Sequence, residues 1–166
     1  MQTKLNYRSK RKKMELKGSH TNLDIKKYFY RKLSKTTDIK INSIILNKKR
    51  LLSNIKHVDP HRIYVRLSYQ ILQSVDIQND ASFVHVTADR CKRDREAEEL
   101  SSFLKSHLES ILPLTSRITI EQIPSINDFG LQAVDMFSYG VFRKYEHHDL
   151  EWYKSFEDRI TTEVVV

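Results

Sequence analysis

The chain has 166 residues, of which 39% are apolar and 30% charged, a composition typical of one folded domain rather than of a disordered chain. A single cysteine, Cys91, excludes an internal disulfide and favours a reducing, cytoplasmic setting. No apolar run approaches the roughly 20 residues of a membrane span, and the basic N-terminus lacks the apolar stretch of a signal peptide, so we expect no membrane association.

Charge is distributed unevenly along the chain. Residues 1–66 hold 19 Lys and Arg against 4 Asp and Glu, a balance of +15, whereas residues 67–166 hold 10 against 17, a balance of −7. A basic half beside an acidic half suits a protein that contacts phosphates with one part and holds cations with the other. Nucleic acid is therefore an expected partner, although basic surfaces of no special function are also common.

Residues 1–13 form a basic N-terminal segment with six Lys and Arg and no acid, which is either a disordered tail or an arm that contacts phosphate. A helix is predicted over residues 20–35, since Ile25, Phe29 and Leu33 recur every four residues with basic side chains around them. Such a helix could lie along a nucleic-acid backbone, and it could equally present an ordinary solvated face.

The next two elements are a strand and a helix. Residues 38–47 first alternate apolar with polar and then run apolar, as a buried strand does. The strand ends at a basic cluster, residues 48–50, which either binds phosphate or is a solvated loop. Asp59 and Pro60 predict a helix start, with the aspartate as N-cap and the proline at the first helical position.

A strand predicted over residues 82–89 has apolar residues on both faces, which indicates an interior strand covered on both sides. Its last residue, Asp89, stands where α/β enzymes commonly place a ligand or catalytic group, and it could equally begin the following turn. A helix over residues 93–111 follows. Further on, residues 150–160 predict a final helix, and residues 161–166 are an apolar tail that either pairs as an edge strand or frays.

Residues 118–145 predict a strand, a short turn and a long helix. The helix gathers apolar residues on one face, namely Leu131, Val134, Val141, Phe142 and Tyr145. A line of residues occupies the opposite face, namely Asp128, Gln132, Asp135 and Tyr139. The two carboxylates in that line are either part of a solvated face, with Asp128 as an N-cap, or a cluster held by a divalent cation, because unpaired buried carboxylates are costly.

Three short stretches resemble, in the same order, segments of domain-of-unknown-function family 3800, which is thought to have a ribonuclease H-like fold. The first is Glu15-Leu16-Lys17-Gly18, which is similar to the family's Glu-Leu-Lys segment. The second is the strand that ends at Asp89, which resembles the family's central strand. The third begins at Asp128 and continues through Leu131-Gln132-Ala133-x-Asp135 to Arg143 and Asp149-x-x-x-Tyr153.

This resemblance implies an α/β fold of the ribonuclease H-like type, a mixed sheet flanked by helices, in a single domain spanning residues 14–160. It also implies a metal-dependent nuclease or a related phosphoryl-transfer protein that uses Mg²⁺ or Mn²⁺. The metal ligands would be Asp89, Asp135 and Asp128. Glu15 would take the place of a further catalytic acid. The contacts to nucleic acid would come from Lys17, Lys48 and Gln132.

The chain departs from the family at its beginning. The family opens with a strand ending in Asp-Glu-Ser-Gly, and nothing before Glu15 resembles it, so we expect an N-terminally truncated form of the fold. Two alternatives to an active enzyme follow. One is a non-catalytic remnant or nucleic-acid-binding module. The other is one half of a split protein, in which a second chain supplies the missing strand by adding to an exposed sheet edge.

Overall fold

The computed structural model describes residues 15–33, 35, 38–48, 58–77, 81–90 and 93–166. Within these ranges, helices and strands alternate along the chain, which confirms the predicted α/β class. They are α1 (Leu23–Leu33), β1 (Ile41–Ile45), α2 (Pro60–Ser74), β2 (Phe83–Asp89), α3 (Asp94–Ile111), β3 (Arg117–Ile123), α4 (Phe129–His147) and β4 (Ile160–Val165). The predicted basic segment at residues 1–13 and residues 49–50 of the basic cluster lie outside the described residues.

Three helices begin directly after a residue whose side chain caps them. Asn22, Asp59 and Asp128 each accept a hydrogen bond from a backbone N–H two or three residues ahead, at 2.7, 3.0 and 2.7 Å. These bonds satisfy donors that have no partner within the first turn of a helix. None of the described helices has both the length and the apolar character that crossing a lipid bilayer requires.

The described strands form two parallel pairs, β1 with β4 and β2 with β3, rather than the single mixed sheet that we predicted. Among the described residues β2 is therefore an edge strand, and the prediction of an interior strand is wrong. Its first residue, Phe83, is 56% exposed. Residues 161–165, predicted as part of a tail, belong to β4 and pair with β1. Alternating apolar and polar residues predict a strand, but they do not show which other strands pair with its two edges.

An aromatic core holds α1, α4 and the C-terminal turns together. Phe156 and Met136 are fully buried, and Tyr30 and Trp152 are nearly so. The Tyr30 hydroxyl donates to the Met136 carbonyl oxygen at 2.7 Å, and its ring stacks on those of Trp152 and Phe156 at 5.6 and 5.7 Å. Burial raises the pKa of the Tyr30 phenol, so it stays a donor.

The final helix predicted over residues 150–160 is wrong. The chain there makes two short 3₁₀ turns, Tyr153–Ser155 and Glu157–Arg159, before entering β4. Its packing residues were nevertheless predicted, because Trp152 and Phe156 are both in the core. Packing the rings of Trp152 and Phe156 against α1 and α4 stabilises the chain more than a helix over these residues would.

The buried face of α4 also differs from the prediction. The residues of α4 that are buried are Gln132, Met136, Phe137, Gly140 and Val141. Two residues of the predicted apolar face, Val134 and Phe142, are 56% and 50% exposed. Val141, one of the predicted apolar residues, is nevertheless buried in the aromatic core and Tyr145 packs against that core, so the buried face overlaps the predicted one and extends to Met136 and Phe137.

Glu163 of β4 joins this strand to α4 and to the C-terminal turns. One of its carboxylate oxygens accepts from Lys144 Nζ at 2.5 Å and from the Tyr145 hydroxyl at 2.6 Å, and the other accepts from the Tyr153 hydroxyl at 2.9 Å. Burial raises the pKa of Glu163, but the three hydrogen bonds outweigh it and hold the pKa below its ordinary value.

Replacing Glu163 with glutamine should lower the free energy of unfolding by about 2 kcal/mol at neutral pH, because it removes the charge from three hydrogen bonds. Folding depresses the pKa of Glu163, so its contribution is present above the unfolded-state pKa and is lost as pH falls through the folded-state value. Urea unfolding at neutral and acidic pH measures the difference in the free energy of unfolding between wild type and Glu163→Gln. Glu157→Gln, at an exposed carboxylate, is the control. A difference that stays constant on acidification would contradict a stabilising role of the ionised Glu163 carboxylate.

Candidate functional site

The carboxyl ends of β2 and β3 place Asp89 and Ser125 side by side. The two strands run parallel with Asp89 opposite Ile123, so the residues that follow β3 lie beside the end of β2. The Ser125 N–H donates to Asp89 Oδ1 at 3.1 Å, and the Arg90 N–H donates to the same oxygen at 3.0 Å. Asp89 thus lies at the carboxyl ends of the strands, where α/β proteins commonly bind ligands.

The segment at residues 15–18 docks on α4 through two side chains of that helix. The Leu16 N–H donates to Gln132 Oε1 at 3.0 Å, and the Gly18 N–H donates to Asp135 Oδ2 at 2.7 Å. Gln132 and Asp135 are three residues apart and so lie on neighbouring turns of one helix face. Two of the stretches that carry the family resemblance, far apart in sequence, therefore meet in space.

Ser125 connects this segment to the end of β2. Its hydroxyl donates to Glu15 Oε1 at 2.6 Å, and its carbonyl oxygen accepts from Gln132 Nε2 at 3.0 Å. The Ser125 hydrogen bond, with a smaller contribution from Lys17 at 3.4 Å, holds the pKa of Glu15 below its ordinary value despite some burial. Sequence reasoning missed Ser125. Its position just beyond a strand parallel to β2 is the signal that could have found it.

These groups border one cavity of about 430 Å³, which we call the acidic cleft. The charged side chains that line it are those of Glu15, Lys17, Asp89 and Asp135. Apolar residues of α2, α3 and α4 form much of the remaining wall. Three carboxylates face one ammonium group across a partly apolar space, and this arrangement favours cations.

The structure places the other predicted site residues elsewhere. Asp128 caps α4 and does not line the acidic cleft. Gln132 is 3% exposed, and its amide is bonded to the backbone of Leu16 and Ser125, so its observed contacts position the segment rather than reach a ligand. Lys48 is exposed beyond the end of β1 and does not line the cleft.

The carboxylates of the cleft are suitable ligands for a divalent metal ion, but the described residues alone do not provide a complete set of ligands. Within the described ranges, no three His, Cys, Asp or Glu side chains come together closely enough to hold an ion. Mg²⁺, however, is usually held by one or two carboxylates together with water and substrate phosphates. Among the described residues, Asp89 accepts hydrogen bonds only through Oδ1 and Asp135 only through Oδ2.

No family model, no curated protein and no solved structure matches this chain. The acidic cleft and the uneven distribution of charge along the chain are therefore the features that bear on its function.

Proposed function

We propose that this chain is a nucleic-acid-acting domain of the ribonuclease H-like type, a nuclease or related phosphoryl-transfer protein that depends on Mg²⁺ or Mn²⁺. The observation that supports it is the meeting of Glu15, Asp89 and Asp135, from three distant parts of the chain, around one cleft. The strongly basic first half of the chain supplies the expected attraction to a phosphate backbone.

In this proposal each residue at the cleft has a separate task. Asp89 and Asp135 provide the carboxylate oxygens, and a divalent cation bound there supplies Lewis-acid polarisation of a phosphoryl oxygen. Glu15, ionised because its pKa is lowered, adds negative charge to the same wall. Lys17, whose side chain is half exposed, contacts a backbone phosphate, and Gln132 holds the segment of Glu15 and Lys17 in place.

Asp135→Asn tests this proposal because it removes the charge and keeps the shape. The asparagine still has an oxygen that can accept from the Gly18 N–H, so the fold should persist. We expect cleavage of labelled single-stranded and double-stranded DNA and RNA by the wild type to require Mg²⁺ or Mn²⁺. We expect a loss of at least about 100-fold in the variant, the size typical of losing an electrostatic catalytic group.

Asp158→Asn is the matched control, since Asp158 is exposed in the turn before β4 and lies outside the cleft. It should cleave at the wild-type rate. Cleavage that continues undiminished in Asp135→Asn, or in an excess of chelator, would refute the proposal. Circular dichroism of both variants separates a loss of chemistry from a loss of fold.

A second candidate function is a nucleic-acid-binding module without catalysis. The lack of a three-residue metal cluster within the described ranges favours it. So do the exposed cations of α1, which include Lys27, Arg31 and Lys32. In the same assays, binding without cleavage that survives chelation and weakens steeply with added salt would identify this function.

A further inference from the structure

A cavity of about 650 Å³ lies along the free edge of β1. Successive residues, from 39 to 46, all border it. Because successive side chains of a strand point to opposite faces, a cavity bordered by every residue in turn lies along the strand's edge. The Ile45 carbonyl and the Asn47 N–H are bonded to Val166, beyond the end of β4. Leu46, between them, therefore directs its own N–H and C=O to the other side, towards the cavity, and so does Ile44, two residues earlier.

The acidic cleft lies along the free edge of β2 in the same way. Residues 86–89 border it in succession. The Ser82 carbonyl accepts from β3 and the Arg90 N–H donates to β3, so the even-numbered residues between them pair with that strand. The backbone groups of Thr87 consequently face away from β3. Each two-stranded sheet thus presents one unpaired edge to a cavity within the described part of the chain.

The two cavities adjoin each other, and we call them together the inter-sheet trough. Ile71 of α2 and Val134 and Ser138 of α4 line both cavities. The trough therefore runs between the free edges of β1 and β2, with α2 and α4 along it.

The apolar face of α4 that the sequence predicted borders this trough. Val134, Val141, Phe142 and Tyr145 all line the cavity along β1, although Val134 and Phe142 are at least half exposed. Covering such surface stabilises a protein by about 25 cal/mol per Å². A partly exposed apolar helix face beside two strand edges is a surface on which another strand or helix can pack.

Two buried polar atoms of β1 also lack partners. Asn42 Oδ1 and Ser43 Oγ are buried and make no hydrogen bond to any described residue. Both residues border the trough. A buried polar group without a partner is destabilising, so a hydrogen-bond donor brought into the trough would stabilise the structure.

We propose that an apolar, extended segment of a second polypeptide chain inserts between β1 and β2 as a β-strand and joins the two sheets. The trough volume alone would also suit a small molecule. Backbone groups that pair with none of the described strands, such as those of Ile44 and Thr87, lie along both walls and match the backbone of an extended peptide, which binds by strand addition. A second copy of this chain is the poorer fit, because its four described strands are already paired. This inference concerns the same acidic cleft as the proposed nuclease function, but its test measures peptide affinity rather than cleavage, so either proposal can fail without the other.

The test uses the whole chain and a displayed library of random dodecapeptides. Peptides selected on the wild type are synthesised with and without N-methyl groups on alternate amides, and their affinities are measured by fluorescence anisotropy. Two proline variants remove one edge donor each, Ile44→Pro from β1 and Thr87→Pro from β2. Ile44→Val and Thr87→Val are the matched controls, since they keep the N–H and a β-branched side chain.

We expect the selected peptides to be apolar and β-branched, and to bind the valine variants as tightly as the wild type. Affinity should fall about tenfold or more in each proline variant and on N-methylation of the peptide. Three results would each overturn the inference. They are equal affinity for the proline variants, unchanged affinity after N-methylation of the peptide, and a selection that enriches peptides no more on the wild type than on Ile44→Pro. Because the two prolines lie in different sheets, failure of one variant to fold leaves the other as the test.

Discussion

Replacing Phe156 with alanine should cost about 3–5 kcal/mol of unfolding free energy, a large part of the whole stability of a domain of this size. Phe156 is 0% exposed, and its ring lies 5.3 Å from that of Phe137 and 5.6 Å from that of Tyr153. It also packs so closely on Gly140 that a Cβ there would lie 2.6 Å from the ring. The truncated side chain would leave a cavity where α4 meets the C-terminal turns.

The same substitution at Phe129 is a matched control, because that side chain is 85% exposed at the start of α4. Phe129→Ala should change the free energy of unfolding by less than about 0.5 kcal/mol. Urea unfolding followed by circular dichroism measures both variants. Equal losses at the two positions would show that the aromatic cluster is not the centre of the fold.

Local signals in the sequence predicted the elements well. Asp59 before Pro60, and Asp128 before an apolar helical repeat, mark helix starts because each aspartate caps donors only a few residues away. The strand ending at Asp89 was also predicted, since its apolar pattern lies within eight residues. Information about these features is contained in neighbouring residues, and a single sequence is sufficient to find it.

Contacts between distant residues could not be read in this way. Gly18 and Asp135, which are joined by a hydrogen bond, lie 117 positions apart in the sequence, and no residue near Gly18 indicates which residue it contacts. The apolar face predicted for α4 includes Val141 of the aromatic core, but it does not include Met136 and Phe137, which also belong to that core. An apolar face shows that a helix packs against something, whereas its partner depends on which strands pair. The pairing of β1 with β4 joins segments more than a hundred residues apart.

Substituting Gly18 with alanine should detach residues 15–18 from α4 while the aromatic core stays folded. An alanine Cβ at this position would clash with Tyr139 Cβ and would lie 3.0 Å from the Asp135 carbonyl oxygen. Neither atom can withdraw without moving α4, so the segment is displaced instead, at a cost of about 1–3 kcal/mol. The hydrogen bond from Gly18 to Asp135 is lost with it.

Two measurements report this displacement. The amide of Leu16 should lose protection from hydrogen exchange, since its acceptor on Gln132 is no longer within reach. The pKa of Glu15 should rise towards its ordinary value, because Ser125 and Lys17 no longer act on it in a fixed arrangement. NMR titration of the Glu15 carboxyl carbon follows the second effect.

Ser19→Ala, at the exposed neighbouring position, should leave both readouts at their wild-type values. A Glu15 pKa that stays depressed in Gly18→Ala would mean that residue 18 does not anchor the segment. If the anchor is confirmed, detaching it withdraws one of the three carboxylates of the acidic cleft and leaves Asp89 and Asp135 in place. Comparing nucleic-acid cleavage by Gly18→Ala and Asp135→Asn then separates the contribution of Glu15 from that of the carboxylates on β2 and α4.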